Sequence, residues 1–377
     1  LKHNKNMKKI NLIRHILFFI FMIILCGTSL ALMYHAKFIS PIYKEHFIHQ
    51  CLWFTIGFLI IIITHFIDTD LFFKYSFWLY IINLLLLVLV LIMGENINGS
   101  KAWLNLKYFS FQPSEIMKLS LTLYVSQLVV KTSTSNFKDE LLLLGKVLII
   151  FLLPSILVFL EPDTGALIFY ALICLICLYS SNIHKWWFVL LAFIFISGIS
   201  LFFYAFFYQK DLLISLIGTT FFYRVERLFN FRSGMQIENA LIAIGSAPLY
   251  KLSLTSVGIY IPESPTDFAF ALTSNVFGII GNIIILLCFL VMDSYLISYN
   301  KHLKKEKKVF AKTFLGIFLM SQIINISMNL GLIPIIGIPL PFISYGGSST
   351  ITLFLFIGII FSKKKSSKTL ELSYHHT

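Results

Sequence analysis

The sequence predicts an all-α integral membrane protein with ten transmembrane helices and one large outer loop. Of its 377 residues, 58% are hydrophobic and only 12% are charged, whereas soluble domains carry about 25% charged residues. Mean hydropathy is +0.86. Apolar runs of about 20 residues recur, long enough to cross a hydrocarbon core of about 30 Å as helix and too long for barrel strands. Residues 1–377 are therefore expected to form a single polytopic domain, with its spans inside about 12–362.

The apolar runs define the spans in order. The first run, Leu12 to Tyr34, is longer than a signal-peptide core and lacks a small-x-small cleavage site, so we expect it to be retained as a span. The ten spans cover about 12–34, 50–66, 77–93, 115–130, 147–160, 166–179, 186–208, 268–297, 314–336 and 350–361. Among the connections we expect a polar return loop at 136–146, the large outer loop at 209–266 between spans seven and eight, and a cytoplasmic tail at 363–377.

Membrane topology explains much of the net charge of +13, so nucleic-acid binding is not needed to account for it. The basic residues before span one place the N-terminus in the cytoplasm; they are Lys2, Lys5, Lys8, Lys9 and Arg14. Dense lysine runs also follow spans four, eight and ten. Ten spans with both ends inside satisfy this bias and bring the motifs described next to the outer face.

The cysteines predict no metal site. Cys174 and Cys177 have the spacing of half a zinc site, but no second pair of ligands accompanies them. We expect both thiols to be small apolar groups on a membrane helix.

Asp267 lies at the mouth of the eighth apolar run. An ionisable residue at the edge of the lipid is a functional-site hypothesis, because charging it there costs free energy. The alternative interpretation is structural: Thr266 or Asp267 would cap the helix by accepting free backbone N–H groups.

A second motif opens span four. Pro113, Ser114 and Glu115 have the order of a helix start, with Ser114 as the cap. Glu115 and Lys118, three residues apart, share one helix face at the membrane edge. A charged pair inside a span needs a wet or protein-lined cavity.

A short turn joins spans five and six. Pro162 and Gly165 are turn residues, and Asp163 tolerates a turn. Glu161 and Asp163 together place two carboxylates at this depth, which is more than a turn requires.

The large loop contributes Arg224 and Arg227, one helical turn apart beside aromatic residues. The pattern is typical of an interfacial helix whose cations meet lipid headgroups. It equally suits cations that hold a pyrophosphate, because arginine presents a fork to phosphate oxygens.

Two motifs stand near the C-terminus. The amides of Gln322, Asn325 and Asn329 share a face of span nine, where amides usually join helices. A run with several prolines and glycines, 337–349, follows, and such backbone at the membrane edge must be satisfied by protein or water. Its Gly-Gly-Ser-Ser stretch could offer N–H groups to an anion.

Together these motifs resemble those of the SEDS family, the RodA, FtsW and SpoVE proteins of bacterial cell-wall synthesis. The matching stretches occur in family order; they are 111–118, 161–165, 262–268 and 339–349. The resemblance implies a SEDS-type bundle of ten transmembrane helices in the bacterial cytoplasmic membrane, with the large extracellular loop between spans seven and eight.

The resemblance also implies an activity, peptidoglycan glycosyltransfer, in which lipid II is polymerised and undecaprenyl pyrophosphate leaves. Asp267 matches the family's essential aspartate and would be the general base of an inverting reaction. The usual partner is a class B penicillin-binding protein, a transpeptidase. The predicted substrate-binding and pyrophosphate-binding residues are Glu115, Lys118, Lys101, Arg224, Arg227, Ser344, Gly346, Gly347 and Ser348. The residues predicted to shape the cavity are Trp103, Gln112, Pro113, Asp163, Asn329 and Pro341.

The chain departs from the family pattern at three places. Ala102 stands where arginine often precedes the tryptophan, 247–251 replaces a glycine-rich run, and Ser274 and Asn275 replace paired acids. These departures indicate a divergent member and do not choose among roles in elongation, division and sporulation.

Two rival functions stay open from the sequence. A flippase for the lipid-linked precursor would also use ten spans and intramembrane charge, although it needs access from both faces. A non-catalytic scaffold for the penicillin-binding protein would fit the departures. The sequence also leaves open whether the reaction needs no cofactor or a divalent cation, Mg²⁺ or Mn²⁺.

Overall fold

A computed structural model of the protein describes residues 2–97, 100–105, 110–219, 222, 234–255 and 258–363. Helices dominate this part of the chain. They are α1 Lys2–Ile39, α2 His46–Phe66, α3 Thr69–Lys74, α4 Ser76–Met93, α5 Pro113–Lys131, α6 Phe137–Leu160, α7 Thr164–Tyr179, α8 Trp186–Tyr208, α9 Lys210–Ile217, α10 Met235–Gly245, α11 Ala269–Asn300, α12 Lys305–Asn329 and α13 Gly347–Phe361.

Seven helical segments in the described residues are long and apolar enough to cross a membrane. They are Arg14–Ile39, Pro41–Phe66, Ser76–Met93, Phe137–Leu160, Trp186–Tyr208, Ala269–Asn300 and Lys305–Asn329. The apolar helices α7 and α13 are shorter, and α5, 19 residues long, carries the Glu115–Lys118 pair. The chain is thus a multi-pass membrane protein, while the count of ten spans stays a prediction.

A small sheet between α4 and α5 corrects the expectation of a purely helical fold. Strands β1 Glu95–Ile97, β2 Ser100–Asn105 and β3 Ser110–Phe111 pair antiparallel in the order β1-β2-β3. Leu104 pairs with Phe111, which brings β2 beside the start of α5. The run is too short and too polar to cross a membrane, so its backbone groups are satisfied by strand pairing outside the spans.

Residues 136–146 were expected to form a polar return loop, and this expectation was wrong for all of them except Asn136. Helix α6 begins at Phe137. Asp139 and Glu140 stand in its first turn, where the helix dipole favours carboxylates. The buried Glu140 carboxylate also accepts hydrogen bonds from Trp187 Nε1 at 2.7 Å and pairs with His184 Nδ1 at 2.6 Å. These tertiary contacts stabilise a helical turn in a stretch whose polar sequence suggested a loop.

The C-terminal helices also differ from their predicted bounds. Span nine was expected to reach 336, but α12 ends at Asn329, and residues 330–346 are non-helical. Several prolines and glycines in this stretch prevent the helix from continuing. Helix α5 packs against α4, α7, α12 and α13 in the middle of the bundle. The non-helical stretch lies at the end of the bundle where α5 and α13 begin.

Candidate active site

A cavity of about 130 Å³ opens where α5, the start of α7 and the two non-helical segments before α11 and α13 meet. Many of the residues predicted from sequence line it, although they come from distant parts of the chain. They are Trp103, Gln112, Glu115, Lys118, Asp163, Asp267, Gly346 and Ser348. The motifs thus form one site.

Asp267 reaches this cavity from a turn and not from a helix cap. Phe268 is the N-cap residue of α11, and no side chain makes a capping bond there. The Thr266 hydroxyl donates instead to Glu263, to its carbonyl and to Oε2, both at 3.0 Å. The structural interpretation of Thr266 and Asp267 as helix caps is therefore wrong, because the backbone turns through Glu263 before the helix begins.

Two buried asparagines of α12 fix the Asp267 backbone. Asn325 Nδ2 and Asn329 Nδ2 donate to the Asp267 carbonyl at 2.9 and 3.0 Å. Asn329 Oδ1 accepts from the N–H of Ala271 at 3.0 Å, and Asn325 Nδ2 also donates to the Ile338 carbonyl at 2.8 Å. The prediction that these amides join elements is confirmed. Their effect is to hold the residue that carries the carboxylate.

The stretch before α13 closes over the same turn. Ser344 Oγ donates to the Thr266 carbonyl at 2.5 Å, and Tyr345 N–H donates to the Pro265 carbonyl at 2.8 Å. Gly337, at φ +75°, lies next to the Asp267 carboxylate, since a Cβ there would stand 3.9 Å from Oδ2. The positive φ is the reason that glycine is favoured at this position.

The Asp267 carboxyl is tuned towards neutral pH. Burial raises its pKa from 3.8 to about 6, and the nearby Glu263 carboxylate adds to the rise. Burial acts because a charged carboxylate loses hydration, and Glu263 acts because like charges repel. A group with this pKa is mostly ionised at neutral pH and still accepts a proton readily.

Glu115 and Lys118 form an ion pair on the cavity wall. Lys118 Nζ is 2.7 Å from Glu115 Oε1, and the two side chains are only 8% and 13% exposed. The ammonium also lies 4.6 Å from the centre of the Phe169 ring, within reach of a cation–π interaction. A second cavity of about 30 Å³ adjoins this pair and is also lined by Pro341 and Ser344.

Asp163 links the start of α5 to the start of α7 through hydrogen bonds. Its Oδ2 accepts from Gln112 Nε2 at 2.9 Å and Ser114 Oγ at 2.8 Å, and its Oδ1 accepts from Ala166 N–H at 3.1 Å. Ser114 was expected to cap α5, but Gln112 holds the N-cap position without a side-chain bond. The hydroxyl of Ser114 goes to Asp163 because that carboxylate is within reach and needs donors.

Glu161 is the second carboxylate of this turn. It is fully buried, and burial, with a smaller effect from Asp163, raises its pKa to about 8. It does not line the larger cavity described above, so of the two carboxylates only Asp163 reaches that cavity.

Several predicted residues lie elsewhere. Lys101 Nζ donates to the carbonyls of Leu91 and Ile92 at 2.8 and 3.2 Å, at the C-terminal end of α4, and it is not in the cavity lining. Pro113 is buried at the start of α5. Gly347 packs so closely on Trp53 that a Cβ would stand 2.7 Å from its ring. These contacts favour structural roles for Lys101, Pro113 and Gly347.

The remaining expectations concern the outer loop and metals. Arg224 and Arg227 lie outside the described residues, so their pyrophosphate contact stays a prediction. Within the part of the chain that the structure describes, no group of three or more His, Cys, Asp or Glu side chains is arranged to hold a metal ion. Cys177 Sγ lies instead beside the hydroxyls of Ser126 and Thr313, at 3.7 and 3.3 Å.

Some of the site was not singled out from the sequence. Glu263 shapes the turn and raises the pKa of Asp267, and Tyr345 lies in the cavity lining and stacks on His46 with ring centres 3.9 Å apart. The acidic residue four positions before Asp267 was a visible signal. The His46 contact was not, because it joins segments about 300 residues apart in the chain.

A family model for the FtsW, RodA and SpoVE type of cell cycle protein matches residues 12–369. The chain belongs to this family.

Individual family members agree with that assignment. The chain is 34% identical over 307 residues to a probable peptidoglycan glycosyltransferase FtsW of Wigglesworthia glossinidia brevipalpis, covering 76% of this chain and 75% of the relative. It is 30% identical over 333 residues to a protein of the same description in Coxiella burnetii, covering 84% and 85%.

Two solved structures share the fold of this chain. A chain from a peptidoglycan synthase complex superposes with a TM-score of 0.73 at 20% identity, covering 90% of this chain and 95% of that one. The rod shape determining protein RodA of Thermus thermophilus superposes with a TM-score of 0.62 at 22% identity, covering 90% and 94%.

Proposed function

We propose that this protein is a peptidoglycan glycosyltransferase that polymerises lipid II at the outer face of the bacterial cytoplasmic membrane. The observation that carries the proposal is Asp267, a half-buried carboxylate with a pKa of about 6, in a cavity that Lys118 also lines. Family membership and the FtsW relatives described as probable peptidoglycan glycosyltransferases support the same activity.

In the proposed step, Asp267 is the general base. It takes the proton of the acceptor's 4-hydroxyl as that oxygen attacks the anomeric carbon of the donor. The bond from that carbon to the pyrophosphate oxygen breaks, its electron pair leaves with undecaprenyl pyrophosphate, and the configuration inverts. A base with a pKa near the working pH is suited to this transfer.

Lys118 is the proposed electrostatic partner of the leaving group. Among the described residues that line the cavity, it is the cation. Glu115 holds the ammonium at 2.7 Å, which orients it before substrate arrives, and a preorganised charge stabilises developing negative charge most effectively in a site shielded from water. Arg224 and Arg227 of the outer loop are proposed to add to this role.

The proposed membrane topology has ten transmembrane helices. Helices α5, α7 and α13 are the three crossings beyond the seven candidate spans, and both chain ends are cytoplasmic. The large loop between α8 and α11 then lies outside, with the cavity. Basic residues at the N-terminus and between α11 and α12 support this orientation.

The proposed partner is a class B penicillin-binding protein, which would cross-link the strands that this chain makes. Support comes from the fold shared with a chain of a solved peptidoglycan synthase complex that coordinates polymerization and crosslinking. Such a pair would act in cell elongation, division or sporulation.

The test is polymerisation of labelled lipid II by the purified protein, with and without its transpeptidase, beside Asp267→Asn. The matched control is Asp211→Asn, an exposed carboxylate on α9. The proposal expects glycan ladders from the wild type and the control and none from Asp267→Asn. Lipid II that moves across proteoliposomes without polymerising would favour a flippase, and an Asp267→Asn protein that still activates its partner would favour a scaffold.

A further inference from the structure

Helix α11 is broken at one residue, Gly278, and a distant segment repairs the break. Gly278 has φ +71° and ψ −165°, outside helical geometry. Unpaired backbone groups are costly near lipid, where water does not replace the lost helical bonds. Four backbone hydrogen bonds of 3.0 to 3.3 Å supply partners; they run from Ile279 N–H to Pro248 O, from Ile280 N–H to Leu249 O, from Lys251 N–H to Phe277 O and from Ser253 N–H to Val276 O.

The glycine is required by the close approach of the two chains. A Cβ on Gly278 would stand 2.5 Å from the Pro248 carbonyl oxygen and 3.1 Å from the Lys251 nitrogen. Its positive φ adds a second reason, because L side chains rarely adopt that conformation. The break and residues 248–253, here called the paired segment, therefore form one feature.

The hydrogen bonds fix the level of the paired segment along α11. From Ala269 to Val276, every side chain of α11 is buried inside the protein. The exposed large apolar side chains of the helix begin at Ile279 and continue at Ile283 and Leu287. Because the Ile279 N–H bonds to Pro248, the paired segment is level with the first side chain that faces lipid.

The paired segment itself presents apolar side chains outward. Leu249, Tyr250 and Leu252 are 67%, 66% and 61% exposed. An exposed cluster of this kind is typical of a membrane or protein contact. Its continuity with Ile279 favours lipid. Tyr250 has the ring and hydroxyl that suit the membrane–water boundary, and the half-buried Lys251 has a stem long enough to bring its charge to headgroups.

We propose that the paired segment is a re-entrant contact with the outer leaflet of the membrane. Leu249, Tyr250 and Leu252 lie against lipid acyl chains beside α11, and Lys251 reaches the headgroup phosphates. This part of the chain, 247–251, is also where the sequence departs from the glycine-rich run of the family pattern. The contact ties the outer loop that leads to Asp267 to a fixed depth in the membrane.

The test places the photo-reactive residue benzoyl-phenylalanine at position 250 of the full-length protein, in nanodiscs of phosphatidylethanolamine and phosphatidylglycerol. Tyrosine is close to the probe in shape, so folding is preserved. Two reference positions carry the same probe. Phe195, exposed on the apolar helix α8, is the reference for a side chain that faces lipid, and Tyr260, exposed on the turn towards Asp267, is the reference for a position outside the membrane. Mass spectrometry counts the lipid adducts.

The expected result is a lipid-adduct yield at position 250 that matches position 195 and exceeds position 260 severalfold. A yield at the level of position 260 overturns the proposal. The probe at position 250 is also irradiated in native membranes. Cross-links to another protein, with no lipid adducts, would overturn the proposal and assign this surface to a protein partner. The readout needs no turnover, so its failure is distinct from a failure of the proposed transferase activity.

A second variant tests the pairing. Gly278→Ala should displace the paired segment and lower the lipid adduct at position 250 severalfold. The matched control is Gly198→Ala on α8, where an added Cβ meets nothing within 4 Å, and it should leave the yield unchanged. If Gly278→Ala has the same unfolding temperature as the wild type and keeps the full yield of lipid adducts, the proposed pairing is overturned.

Discussion

Acidification should inactivate polymerisation through Asp267, at a pH well above the ordinary range of an aspartate. With a pKa of about 6 in place of 3.8, the carboxylate is about nine-tenths ionised near pH 7 and about one-tenth ionised near pH 5. The rate should therefore fall by nearly tenfold between these values. The assay is kcat/KM for labelled lipid II across this range, with the transpeptidase present. A rate that holds down to about pH 4 would refute the assignment of Asp267 as a base tuned by burial.

Glu263→Gln separates Asp267 from any titration of the substrate's pyrophosphate. The amide still accepts from Thr266 but carries no charge, so the midpoint of the acid limb should fall. It should not reach 3.8, because burial is the larger cause of the raised pKa and remains. Asp211→Asn, which removes an exposed carboxylate elsewhere, should leave the midpoint in place. Equal midpoints in wild type and Glu263→Gln would contradict the coupling of the two carboxylates.

The fold itself should not be lost through this group in the same pH range. The pKa of Asp267 is raised in the folded state, so the folded protein binds the proton more tightly than the unfolded chain does. Its contribution to stability therefore increases as the pH falls through about 6 towards 3.8. Thermal unfolding at each pH distinguishes protonation of the base from denaturation.

Three further substitutions test the parts around the base. Asn325→Ala leaves the Asp267 carbonyl with one amide donor in place of two; we expect a loss of about 1–3 kcal/mol in unfolding free energy and a drop in kcat, and an unchanged kcat would contradict its positioning role. Lys118→Met leaves the Glu115 carboxylate buried without its partner and should lower the unfolding free energy by about 3–5 kcal/mol. Adding Glu115→Gln should restore the unfolding temperature but not polymerisation. Restored polymerisation would exclude a role for the Lys118 cation. Asp163→Ala removes a cap and should cost about 1–2 kcal/mol, measured by thermal unfolding, with an unchanged melting temperature as the contradicting result.

Apolar run length predicted the seven candidate spans, because it reflects the thickness of the hydrocarbon core. It could not find the start of α6 at Phe137, where Glu140 makes hydrogen bonds with His184 and Trp187 at the start of α8. It could not find the small sheet either, since strands of two to six residues depend on their partners. Each miss involves a contact between segments that the local pattern does not contain.

The same division holds at the site. Asp267, Glu115 and Lys118 were visible because charge at a membrane edge is costly and therefore informative. The two amides that hold the Asp267 carbonyl were seen as a polar face, but their target was not predictable from spacing. Ser114 illustrates the limit: its position suggested a helix cap, and its hydroxyl serves Asp163 instead.

The most direct test of the account is lipid II polymerisation by Asp267→Asn and Asp267→Glu beside the wild type, at matched amounts of folded protein. The account predicts no glycan strands from the amide, which cannot take the proton, and partial activity from the glutamate, whose carboxylate is displaced by one methylene. Wild-type ladders from Asp267→Asn would contradict the central claim that this carboxylate is the base.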